Sequence, residues 1–211
     1  MPPVDPVRAP KADVWVVPLE AEAQWLPATS AEAERAARFV TDPLRQRYLR
    51  SHAALRAILH TYTEAPLDFA LAEHGKPYLP SVPELHFNLA HSHRMALVAV
   101  ARDIEIGVDV EWFRPLPECM AIAERFFPPS EAAALADVPP GAREREFFRR
   151  WTRIEARLKA RGIGLYGAGA EPEGEWTVLP IDVGEEYTAS VAAACGGITV
   201  KTRWFAAPRT P

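Results

Sequence analysis

Cysteine is nearly absent from this chain: its 211 residues include only Cys119 and Cys195, far apart and outside any C-x-x-C spacing. That excludes a disulfide framework and a thiolate zinc site, and it suits a reducing cytoplasm. Long apolar runs are absent too. No stretch of about 18 apolar residues occurs, so nothing reads as a membrane span. The proline-rich stretch from Met1 to Lys11 lacks an apolar core and reads as a tail ahead of the first strand, not an export signal. An excess of positive charge is missing as well. The formal net charge of −4 argues against nonspecific nucleic-acid binding as the main task.

What is present is the balance of a globular chain, with 48% hydrophobic and 25% charged residues, enough to bury a core without staples. Residues 13–18 read as a strand, and 31–60 as helical, with Ser30 as the expected cap and Pro43 in the first turn of a second helix. Short β segments near 68–73, 77–79 and 84–89 are punctuated by Gly75, Pro77, Pro80 and Pro83. Met95–Ala101 and Ile104–Val110 read as a hairpin around Arg102-Asp103. Trp112 to Pro117 looks like a connection. Helical patterns follow at 118–126, 130–136 and 142–161, then β segments near 175–181, 187–194 and 198–205. Helices then short strands, twice over, indicate an α+β protein of two similar halves, residues 1–111 and 112–211. A cleft between such halves is a common place for a ligand.

The most informative segment is Gly107-Val108-Asp109-Val110-Glu111. Strand alternation puts Asp109 and Glu111 on one face, where two carboxylates repel unless a cation lies between them. A hard cation such as Mg²⁺ suits that pair; so does a half-exposed acidic edge strand with no ligand at all. In the helix from Phe147 to Lys159, the residues Phe147, Trp151, Ile154 and Leu158 should pack inward. Glu155 and Lys159 are four apart on a face bordering that stripe, as a surface ion pair or as a metal ligand and a phosphate contact. Lys76, in Gly75-Lys76-Pro77, is expected to reach outward from a turn. His91 ends a strand in small polar residues and could donate to a phosphate. Between Arg143 and Arg161 lie eight basic and three acidic residues, a solvated face or a contact for an acidic partner.

In order and spacing, Gly75-Lys76-Pro77, Phe87-Asn88-Leu89-Ala90-His91-Ser92, Gly107 to Glu111 and Trp151 to Lys159 resemble the surfactin-synthetase-type (group II) 4′-phosphopantetheinyl transferases. The resemblance runs from about Arg35 to Leu165. It implies a pseudo-twofold α+β fold, each half with helices on a small antiparallel sheet, clasping coenzyme A between the halves. It implies Mg²⁺, replaceable by Mn²⁺, on Asp109, Glu111 and Glu155. Glu155 and Lys159 would be catalytic, and Arg47, Lys76 and His91 would contact the adenosine 3′-phosphate. The partner would be an acyl or peptidyl carrier protein, with no nucleic acid or membrane, and a monomer would suffice. The arginines of 143–161 would dock the acidic carrier. Two departures stand out: Ile154 where the family usually has lysine, and Ala90 where it usually has serine. Their alternative reading is a noncatalytic coenzyme A- or nucleotide-binding member of the same fold.

Overall fold

The strand Met95–Arg102 (β5) is alanine, valine and leucine almost throughout and is buried on both faces except at Arg102, the pattern of a central strand. A computed structural model describes residues 9–21, 24–163 and 174–206 of the chain; the expected N-terminal tail lies, through residue 8, outside the described residues. Before β5 come β1 (Lys11–Pro18), α1 (Ser30–Ala36), α2 (Asp42–Leu59), the two-residue strands β2 (Ala70–Leu71) and β3 (Pro77–Tyr78), and β4 (Leu85–Ser92). After it come β6 (Ile106–Trp112), α3 (Cys119–Phe126), α4 (Pro129–Ala136), α5 (Pro140–Arg161), β7 (Thr177–Ile181), β8 (Tyr187–Ala193) and β9 (Thr199–Trp204). Among these helices none is long and apolar enough to cross a membrane.

One sheet has the order β4-β5-β1-β9 and a second the order β6-β8-β7. The same topology occurs twice. A leading strand, β1 or β6, pairs antiparallel with the second strand of a later antiparallel pair, β4-β5 or β7-β8, with helices in between. No residue-level repeat accompanies it. The last strand, β9, returns to the first sheet and lies parallel to β1. The mixed helices and small sheets make the chain α+β.

Two local expectations need correction. Residues 95–101 and 104–110 do not form a hairpin with each other. Both edges of β5 are taken by β1 and β4, and Asp103, at φ 57, turns the chain away into the second sheet. Thr29, not Ser30, caps α1: Thr29 Oγ1 accepts the Glu32 N–H while Glu32 returns a carboxylate to the Thr29 N–H. Glutamate at the third helical position completes a capping box from Thr29 but not from Ser30.

Alternating side chains of both sheets, among them Val14, Leu97, Val108 and Val191, form the central apolar cluster. Helix α2 covers the other face of the first sheet with Leu55, Ile58 and Leu59. Helix α5 packs two ways. Phe147, Ile154 and Leu158 meet α3 and α4, while Ala156 and Ala160 meet Ala192 on the second sheet. The sheets also adjoin at β4 and β6. There Asn88 Oδ1 accepts the Val108 N–H at 2.9 Å and Ser92 Oγ accepts the Trp112 N–H at 3.1 Å. Side chains of one strand thus satisfy two of the outward N–H groups of the other.

Candidate active site

The site starts from a missing side chain. A Cβ on Gly107 would overlap the Ala156 carbonyl oxygen and stand 2.9 Å from Ala160 Cα. Glycine there, with alanines at 156, 160 and 192, lets α5 lie directly on β6. Thr152 Oγ1 and Ser190 Oγ, 3.1 Å apart and buried, share a hydrogen bond between helix and sheet. With α5 seated so, Lys159 Nζ donates to Asp109 Oδ1 at 2.6 Å.

Val108 and Val110 face the apolar cluster between the sheets, so Asp109 faces α5, as strand alternation requires. Asp109 is only 5% exposed. Burial pushes its carboxyl up to about 7, against the opposing pull of Lys159, with Glu111 and Glu155 repelling its charge further. Glu155 is raised as well, first by burial, then by Glu111 against the attraction of Lys159. Lys159 offsets Asp109 and attracts Glu155, while Arg114 pairs with Glu111 at 2.9 Å. Asp109 Oδ2 and Glu155 Oε1 are buried without a hydrogen-bond partner. Such orphaned acceptors are costly in a folded protein and mark a place for a cation or donor. On Glu111, both protein donors fall on Oε2: Ser92 Oγ at 2.8 Å and Arg114 Nη1 at 2.9 Å. Among the described residues no group of three or more His, Cys, Asp or Glu side chains is gathered as a metal cage; the cation on Asp109 is the Lys159 ammonium.

His91, next to last in β4, is exposed to water. Burial lowers its imidazole from the ordinary range, with His52 and Lys159 adding to that and Glu111 opposing it. Sequence reasoning missed His52, whose ring lies 4.1 Å from that of Tyr48. Its spacing of one helical turn from Tyr48 was the available signal. Asn88 and Ser92, the side chains that fasten β4 to β6, also went unassigned.

The other expected residues are placed differently. Arg47 lies on α2, paired with Glu20 at 2.8 Å. Lys76 does not reach outward. Its ammonium pairs with Glu105 and donates to the Ala160 carbonyl at 2.7 Å, over the end of α5. The last carbonyls of a helix lack partners within it and attract a cation. Ile154 is buried with Phe147 and Leu158, and Ala90 lies in the cluster between the sheets. The basic run is largely engaged within the fold. Arg150 pairs with Glu131 and Glu146, Arg143 donates to the carbonyls of Ala136 and Val138, and Arg145 donates to the Glu185 carbonyl and lies over Phe113. Arg153 and Arg157 line a cavity of about 170 Å³ with Ile154 and Val178. Each is two residues from Glu155, roughly 200° around the helix, so they face away from the carboxylates.

Residues 105–196 match the family model of the 4′-phosphopantetheinyl transferase superfamily. The chain is 38% identical over 163 residues to the 4′-phosphopantetheinyl transferase HetI of Nostoc sp. (strain PCC 7120), covering 72% of this chain and 69% of that protein. It is 33% identical over 159 residues to a 4′-phosphopantetheinyl transferase of Bacillus subtilis, covering 65% of this chain and 70% of that one. With Sfp of Bacillus subtilis (strain 168) the identity is 29% over 135 residues, or 63% and 59% of the two chains. The buried carboxylates on β6 and α5 fall inside the matched segment, and the chain belongs to the 4′-phosphopantetheinyl transferase superfamily.

Proposed function

We propose that this chain moves the 4′-phosphopantetheine arm of coenzyme A onto a serine of an acyl or peptidyl carrier protein, releasing 3′,5′-ADP. The observation that carries the reading is the set of orphaned carboxylate oxygens on Asp109 and Glu155 around Lys159, at the contact of α5 with β6.

The donors suit Mg²⁺, which takes oxygen ligands and prefers carboxylates completed by substrate phosphates. Among the described residues Asp109 Oδ2 and Glu155 Oε1 are buried without a donor, and the two donors to Glu111 fall on Oε2. Asp109, Glu111 and Glu155 would hold the ion, with Mn²⁺ as a substitute. Bound there, it would neutralise pyrophosphate charge and help the ADP leaving group depart.

The remaining work falls to the chain itself. Phosphoryl transfer needs mainly positioning and charge stabilisation. Lys159 would balance charge on the transferred phosphoryl group, the same ammonium that holds Asp109. Glu155, raised by burial, would accept the serine proton. Arg47, Lys76 and His91 form the proposed group for the adenosine 3′-phosphate; a phosphate reaching Lys76 would compete with Glu105. We take the repeated topology as two halves divided near 111, with β6 opening the second repeat. All named residues come from one chain, so a monomer is sufficient. Two unpaired thiols fit work in the cytoplasm.

Ile154 and Ala90 were the main support for a noncatalytic member, and both side chains are buried among apolar neighbours. The test is release of 3′,5′-ADP, followed by chromatography, from coenzyme A with Mg²⁺ and an apo carrier. The reading requires release that stops on chelation and falls sharply in Glu155→Gln. If Glu155→Gln turned over near normally with metal still bound, its role as base would be lost.

A further inference from the structure

Among the described residues Glu111 receives two hydrogen bonds, and both fall on the same oxygen. The two donors differ in exposure and reach. Arg114, 40% exposed at its side chain, reaches Oε2 at 2.9 Å from the end of a long stem, while the same Nη1 donates to the Trp112 carbonyl at 3.1 Å and the guanidinium lies over the Phe148 ring. Ser92 has one rotatable bond and ends β4. Its oxygen accepts the Trp112 N–H at 3.1 Å, and its proton goes to Glu111 Oε2 at 2.8 Å. A hydroxyl carries one proton, so a lone pair engaged by the strand leaves that proton for the carboxylate. The turn that follows is fastened to the same place. His93, at φ 51, stacks its ring on that of Trp112 with centroids 4.4 Å apart.

We propose that Ser92 is a positioning residue for the transfer reaction: its hydroxyl fixes the Glu111 carboxylate by Oε2 and leaves Oε1 for a divalent cation. This rests on the reading of Asp109, Glu111 and Glu155 as the metal-holding set. Fold stability alone asks only for the Trp112 N–H to be accepted. The second bond acts on a half-buried carboxylate that water could solvate, and its consequence is orientation. Partners that orient metal ligands in this way influence affinity strongly when removed.

The experiment measures Mn²⁺ binding directly, by calorimetry with coenzyme A present, for the wild-type chain, Ser92→Ala and Ser92→Thr. Steady-state kinetics against Mg²⁺ and a thermal melt without metal accompany it. Ser92→Ala is expected to bind Mn²⁺ about 10–100-fold more weakly. The KM for Mg²⁺ should rise in step while kcat at saturating metal stays near wild type. Ser92→Thr keeps the hydroxyl and is expected to restore binding. A merely structural serine would lower the melting temperature of Ser92→Ala and leave Mn²⁺ binding unchanged, which would overturn the proposal. So would a threonine variant as weak as the alanine one despite a wild-type melt. A wild-type chain that binds no Mn²⁺ would overturn the metal reading itself, and this proposal with it.

Discussion

Gly107 and Ala160 touch backbone to backbone: a methyl group on the glycine would stand 2.9 Å from the Ala160 Cα and overlap the neighbouring Ala156 carbonyl. No rotamer change relieves a clash with main chain, so the helix must move. Gly107→Ala is expected to lower stability by about 4 kcal/mol or more and to abolish transfer, because α5 carries Glu155 and Lys159. The control is Gly141→Ala on the same helix, where a Cβ meets nothing within 4 Å; it should be neutral or stabilise by up to about 1 kcal/mol. Urea unfolding of both variants decides the matter.

Asp109 is expected to make the chain less stable as pH rises. Burial lifts its carboxyl up to about 7, while in the unfolded chain it ionises near its usual value of about 4. Between these values the unfolded chain has released the proton and the folded chain keeps it. Stability therefore falls from about pH 4 to about pH 7 and levels off above that. Asp109→Asn removes the group. With chelator present it should be more stable than wild type at pH 8, by roughly 1–4 kcal/mol, and similar near pH 4. Thermal melts at the two pH values check this; a variant less stable at pH 8 would contradict it.

Ala90 leaves a gap in the fastening of β4 to β6. Asn88 and Ser92 accept the N–H groups of Val108 and Trp112. Outward N–H groups recur at every second residue of a strand, so that of Val110 points to the same side, opposite Ala90, whose methyl cannot accept it. Ala90→Ser should stabilise the chain by about 0.5–1.5 kcal/mol, measured by urea unfolding, and leave kcat unchanged.

Lys76 bonds over the end of α5 to the Ala160 carbonyl at 2.7 Å. Lys76→Met is expected to lower stability by about 1.5–3 kcal/mol, the range for a hydrogen bond from a charged donor. The KM for coenzyme A should rise less than in His91→Ala. A melt unchanged from wild type would show that the ammonium does not secure the helix.

Much of this was legible in the sequence, for identifiable reasons. The apolar stripe Phe147, Trp151, Ile154 and Leu158 announced the inward face of α5, because large side chains at helical spacing are a strong signal. The alternation in 107–111 put Asp109 opposite Val108 and Val110. Hidden from the sequence was the second face of α5, made of Ala156 and Ala160, since small residues do not register as an apolar stripe. The same holds for Lys76, whose partners Glu105 and Ala160 are brought to it only by the fold. The false hairpin at Arg102-Asp103 came from two apolar runs beside a turn. Which edges of β5 were already taken is a property of the whole sheet, not of that window.

The most direct measurement is intact mass of purified apo carrier proteins after incubation with this chain, coenzyme A and Mg²⁺, each reaction paired with Asp109→Ala. The account predicts that at least one carrier gains a single phosphopantetheine, only with metal present and only with Asp109 intact. A gain that persists without metal or in Asp109→Ala would contradict the role given to the buried carboxylates. Coenzyme A binding with no gain on any carrier would contradict transfer itself.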